Sequence, residues 1–97
     1  MSKIVITAKV KIKEEFYLDV YEQLLLLYKH SIEEDGCIQF DLHNDVDDKN
    51  TFVFVETWVN QEALDNHTKS EHFISYIKKV SEKIEDLKIN RLIKIEI

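Results

Sequence analysis

Apolar and polar side chains alternate most cleanly at the start of the chain. Ile4, Ile6, Ala8, Val10 and Ile12 fall on one face and Val5, Thr7, Lys9 and Lys11 on the other, which predicts a strand over residues 3–12. From Glu14 the period lengthens. Phe16, Val20, Leu24, Leu27 and Ile32 recur at helical spacing, so residues 14–34 read as one long amphipathic helix. Asp35-Gly36 ends it, because glycine tolerates the left-handed backbone that a helix stop requires. Residues 37–44 alternate again, with Ile38, Phe40 and Leu42 opposite Cys37, Gln39, Asp41 and His43. The polar run Asp45 to Asn50 predicts a hairpin connection, and residues 51–59 a strand rich in aromatic and β-branched side chains. Asn60 is placed to cap a short helix reaching about Thr68. Ser70 is placed to cap another, whose Phe73, Ile77, Val80 and Ile84 form an apolar stripe. Residues 88–97 read as a fourth strand.

The predicted order is β-α-β-β-α-β with the second helix broken in two, the ferredoxin-like split pattern of an α+β fold. Residues 1–97 form a single domain without repeats or a linker. Two helices cover one face of such a sheet, yet the third strand is apolar on both. It carries Phe52, Phe54 and Trp58 on one side and Val53, Val55 and Val59 on the other. One small domain cannot hide both faces, so a homodimer packed sheet to sheet is expected.

Composition narrows the function. Hydrophobic residues at 44% and charged residues at 33% belong to a folded domain rather than a disordered tail. No proline and a single glycine argue for regular elements joined by short connections. A net charge of −6 disfavours nucleic acid and anionic lipid as partners. No apolar run approaches the ~18 residues of a membrane span, and no signal-like segment opens the chain. The lone Cys37 cannot form an intrachain disulfide, so the cytoplasm is the expected location.

Chemistry concentrates between Glu56 and Phe73, in the run E-x-W-x-N-x-x-A-L-x-x-H-x-x-x-x-H-F. Glu56, His67 and His72 are the candidate catalytic residues. An imidazole exchanges protons near neutral pH, and a carboxylate among apolar strand neighbours must be paired or have a raised pKa. Glu56 could orient a histidine, act as a base, or accept backbone N–H groups at the start of the following helix. Trp58 and Phe54 offer an aromatic wall for a planar substrate, and Phe40 and Tyr28 join them as candidate substrate contacts. A metal site is not expected, since histidines five apart are out of phase on one helix and no third ligand has obvious spacing. Asp45, Asp47 and Asp48 lack the glycine and glutamate of a calcium loop. No phosphate loop, nucleophile elbow or CxxC pair is present, so no cofactor is expected and the partner is a small-molecule substrate.

The runs E-D-G-C-I-Q-F-D-L (Glu34 to Leu42) and F-V-F-V-E-T-W-V-N (Phe52 to Asn60), followed by A-L-x-x-H and S-E-H-F, resemble the antibiotic biosynthesis monooxygenase (ABM) family over nearly the whole chain. The resemblance implies a dimeric α+β barrel with each pocket between helices and sheet. It also implies one of several chemistries, because one scaffold hosts cofactor-free oxygenases of quinols or anthrones, haem-degrading enzymes and an isomerase of a phosphorylated autoinducer-2-type signal. The haem-degrading branch's Asn, Trp and His would fall near Ala8, His67 and Ile77, and all three differ here. The other two branches share the H-x-x-x-x-H pattern of His67 and His72. The leading expectation is a cofactor-independent monooxygenase for a quinol-like or phenolic substrate. The alternatives are the isomerase, with Lys69, Lys78 or Arg91 near its phosphate, and a non-catalytic dimeric binding module.

Overall fold

A computed structural model describes residues 2–97. Strand β1 (Ile4–Ile12) leads through a 3-10 turn (Glu14–Phe16) into helix α1 (Tyr17–Ser31). Strands β2 (Cys37–Asn44) and β3 (Thr51–Trp58) form a hairpin, helices α2 (Gln61–Lys69) and α3 (Glu71–Val80) follow, and β4 (Ile84–Ile93) returns to the sheet. All pairings are antiparallel and the spatial order is β2-β3-β1-β4, the ferredoxin-like arrangement expected from the pattern. The sheet is open, with β2 and β4 at its edges, so the chain by itself is not a closed barrel. No helix among the described residues is long and apolar enough to cross a membrane.

Period-two patterning places the core correctly. Ile6, Ala8, Val10 and Ile12 of β1 and Phe52, Phe54, Glu56 and Trp58 of β3 are all buried on the helix-covered face. Val20, Leu24 and Leu27 of α1, with Tyr76 and Val80 of α3, close over them. The hairpin turn is tied by Asp45, whose Oδ1 accepts from the amides of Asp47 at 2.7 Å and Asp48 at 3.1 Å.

The structure departs from the sequence reading at the first helix, in β2 and at both ends of β4, while β1 and β3 differ by one residue each. The first helix begins only at Tyr17 and ends at Ser31; residues 32–35 are looser turns, with Glu34 N donating to Ser31 O at 3.1 Å. In β2 the register shifts between Cys37 and Gln39, so two residues oppose one. That bulge turns Ile38 outward, 52% exposed, and swings Cys37 to the side of Trp58, opposite to the simple alternation. Ile84 belongs to β4, opposite Ile12, instead of continuing the α3 stripe. A turn in which Lys83 N donates to Val80 O at 2.8 Å intervenes. Residues 94–97 lie beyond β4 and are not strand.

The helices pack mainly toward β2 and β3 and leave β4 partly open. Leu87 and Ile89 share the inner face with Val10 and Ala8, yet Ile89 is 54% exposed. This opening at the β4 side creates the main cavity.

Candidate active site

The turn before β2 fixes the first component. Gly36 has φ of 83°, and a Cβ there would stand 2.6 Å from Ala63 Cβ and 3.0 Å from Val59 Cγ1. Its carbonyl accepts from Val59 N at 2.8 Å, so the Glu34–Gly36 turn is seated against the start of α2.

Helix α2 is started by Asn60, whose Oδ1 accepts from Ala63 N at 2.9 Å. At Ser70 the backbone is extended, with φ −68° and ψ 152°. Its Oγ donates to His67 O at 2.6 Å and accepts from Phe73 N at 3.3 Å, closing one helix and opening the next. On one continuous helix two side chains five apart would stand about 140° apart. The break removes that separation. His67 Nδ1 donates to Glu34 Oε2 at 2.6 Å, and His72 Nε2 donates to the same oxygen at 2.8 Å.

His67 is 2% exposed and held between Trp58, at 4.6 Å between ring centroids, and Phe73, at 4.9 Å. Burial pushes its pKa below the ordinary value, opposed by Glu34, so the ring is neutral at pH 7. With the proton held at Nδ1 by the carboxylate, Nε2 keeps its lone pair. Nε2 makes no protein hydrogen bond among the described residues.

His67 lines a cavity of about 600 Å³ between α2, α3 and the β1–β4 side of the sheet. Its walls are mainly apolar, including Ile6, Ala8, Phe54, Leu64, Tyr76 and Ile89. Glu56, Asp65, Thr68 and Arg91 supply polar groups. Glu56 Oε1 accepts from Trp58 Nε1 at 2.9 Å, and burial pushes this carboxyl up to about 7. Burial, reinforced by Glu56, also raises the Tyr76 phenol. Arg91 donates to Gln61, which pins the guanidinium at the cavity wall. Burial, with Glu34 and Glu56 adding, pushes the Cys37 thiol up to about 11, so it is no thiolate nucleophile.

The expected site residues thus divide. His67, Glu56 and Phe54 line the cavity. Trp58 (0% exposed) and Phe40 are core and do not line it; they pack against His67 and hold it. His72 lies behind His67 in a smaller cleft of about 150 Å³ with His30, the two rings stacked at 5.4 Å. Tyr28 lines a separate groove with Tyr21, His43 and Phe52. Backbone donors at the start of α2 are met by Asn60, not by Glu56. Ala8, His67 and Ile77, the positions that differ from the haem-degrading pattern, all line the main cavity.

Sequence reasoning missed Glu34 as a partner of both histidines, because nothing in linear spacing links positions so far apart. It treated Arg91 only as a phosphate contact. Its signal was available: Arg91 interrupts the inner-face series Leu87, Ile89, Ile93 and sits opposite Ile6, which is also opposite Glu56.

Relatives agree with this architecture. The Bacillus subtilis (strain 168) protein named "Putative monooxygenase YcnE" is 34% identical over 79 residues, spanning 81% of this chain and 83% of its own length. PA3566 from Pseudomonas aeruginosa superposes with a TM-score of 0.93 at 26% identity, covering 99% of this chain and 97% of that one. A conserved protein from Bacteroides thetaiotaomicron gives 0.89 at 29% identity, covering 96% and 98%. Residues 3–79 match the family described as antibiotic biosynthesis monooxygenase, and the chain belongs to that family.

Proposed function

We propose that the protein is a cofactor-independent monooxygenase acting on a small quinol-like or phenolic substrate held in the main cavity. The observation that carries this reading is the buried, neutral His67, oriented by Glu34 through Nδ1, at the wall of a mainly apolar cavity. His67 Nε2 takes the phenolic proton of the substrate. The resulting anion gives one electron to dioxygen, and the radical pair combines to form a carbon–oxygen bond. The peroxide anion so formed regains the proton from His67, and the hydroperoxide then loses water together with the hydrogen of that carbon, leaving a carbonyl there. One oxygen atom is retained and the other leaves as water. Phe54 and Tyr76 present ring edges or faces to a planar substrate, and Glu56, near neutrality in its pKa, takes up or returns a second proton.

The isomerase reading needs cations for a phosphate. Of Lys69, Lys78 and Arg91, only Arg91 lines the cavity, and it is already engaged by Gln61. We also read the sheet face opposite the helices, with Val53 and Val55 half-buried and Leu92 exposed, as the surface of a homodimer packed sheet to sheet. Sedimentation at micromolar concentration tests it, and a monomer there would count against it.

The function is tested by oxygen uptake of the purified, metal-stripped protein over reduced quinols and anthrones, with autoxidation subtracted. Enzyme-dependent uptake lost in His67→Ala, with substrate binding retained, is expected. Binding without uptake in the wild-type protein would leave a non-catalytic binding module instead.

A further inference from the structure

The junction of Glu34, His67 and His72 has a second chemical capacity, separate from the cavity beside it. We propose that these three side chains form a binding site for a borderline divalent transition-metal ion of the Zn²⁺ or Co²⁺ kind, held by two imidazole nitrogens and one carboxylate oxygen.

Geometry is the basis. His67 Nδ1, His72 Nε2 and Glu34 Oε2 all lie within 4.8 Å of one another. An ion of this class takes imidazole nitrogen at about 2.0–2.1 Å and carboxylate oxygen at about 2.0–2.2 Å, which puts neighbouring donors of a tetrahedral site roughly 3.2–3.5 Å apart. The Glu34 oxygen now stands 2.6 Å and 2.8 Å from the two nitrogens. An ion enters as the carboxylate withdraws and the two imidazole nitrogens, now within 4.8 Å of each other, close to the tetrahedral spacing. Two nitrogens and one oxygen suit zinc or cobalt better than magnesium or calcium, which prefer all-oxygen sets.

The surroundings favour a fixed site. His67 is clamped by Trp58 and Phe73, and His72 stacks on His30, so both rings are oriented before any ion arrives. The side chains of His72 and Glu34 are 22% and 16% exposed, which gives an ion a way in from solvent and leaves a position for water.

Occupancy has a consequence that rests on the proposed role of His67 as base. An ion on Nδ1 of a neutral imidazole moves the ring's proton to Nε2. The atom facing the substrate then becomes a donor, and the base is silenced with no loss of the ring's proton. The ion thus acts as a regulator of the cavity chemistry, not as its cofactor.

The test titrates metal-free protein with Co²⁺, read by visible absorption, and with Zn²⁺, read by calorimetry. One ion per folded chain is expected. Loss on His72→Ala or Glu34→Gln should exceed the roughly 10- to 100-fold typical of removing only a ligand's hydrogen-bond partner. His43→Ala, on the separate groove, should bind like the wild type, and circular dichroism confirms that each variant is folded. Absence of cobalt bands and zinc heat up to millimolar metal overturns the site, as does unchanged affinity in folded His72→Ala and Glu34→Gln. Where the metal-free protein consumes oxygen, stoichiometric Zn²⁺ should stop it and a chelator restore it. Binding with unchanged uptake leaves the site standing and sinks the tautomer switch. Binding by a protein that never consumes oxygen supports the site and removes only the catalytic reading.

Discussion

Glu34 and Glu56 are both sheltered carboxylates near the same histidine, and the fold treats them in opposite ways. Glu34 sits in a turn outside the sheet and receives two imidazole N–H groups on one oxygen. Glu56 sits mid-strand among apolar neighbours and receives a single indole N–H, and burial lifts its pKa to about 7. The number of donors and the access to water decide what a carboxylate can do. Glu34 sets the orientation and tautomer of its neighbour. Glu56, with its pKa raised to about 7 by burial, exchanges a proton near neutral pH at the cavity.

The contrast can be broken most severely at the residue between the two regions. Replacing His67 by Ala should lower turnover by roughly 100- to 10,000-fold, the usual weight of a positioned proton-transfer group, as followed by oxygen uptake. The Glu34 side is next most vulnerable through its turn. Gly36→Ala places a Cβ against Ala63 at positive φ, and urea unfolding should show a loss of about 2–4 kcal/mol.

Glu56→Gln sharpens the contrast from the other side. With a folded pKa of about 7 against an ordinary 4.5, the folded state holds a proton that the unfolded chain releases. Wild-type stability therefore declines as pH rises from 4.5 through 7 and is not recovered above it. Glutamine keeps an acceptor for the indole and has no proton to lose. Denaturation should find Glu56→Gln more stable than the wild type by on the order of 2–3 kcal/mol at pH 8, with the gap closing near pH 5. The corresponding change Glu34→Gln strikes catalysis instead of stability. The new amide can present its NH2 group to His67 Nδ1 and reverse the tautomer, and turnover should fall by up to roughly 10,000-fold, the known cost of a wrong tautomer in a histidine–carboxylate pair. An equal loss at both positions, or a pH-independent gain at Glu56, would erase the distinction.

Much of the scaffold was legible in the sequence because it depends on local chemistry. The alternation in β1 and β3 identified the buried face, and Asn60 and Ser70 were readable as caps because short polar side chains reach back to nearby amides. Ile38 was not, since a bulge depends on the partner strand's register and leaves no mark in the alternation. Trp58 was assigned to the correct face but the wrong surroundings. Period two specifies which side a residue takes, whereas the helices above decide whether that side is core or cavity. Glu34 was invisible as a site residue because its meeting with His67 and His72 is made by a turn, a helix start and a helix break acting together.

The sheet order has a consequence for the timing of assembly. β1 is the first strand to be synthesised, yet it lies inside the sheet and pairs with β4, the last. The β2–β3 hairpin can form from neighbouring sequence, but Ala8 must wait for Ile89 to arrive from the far end of the chain. On a ribosome the proposed base, His67, is therefore made well before the wall that encloses its substrate. In the finished protein the same edge strand is the segment most exposed to fraying, so native-state hydrogen exchange should see the cavity open before the hairpin loosens. Activity can then be lost by a partial opening that leaves most of the molecule folded.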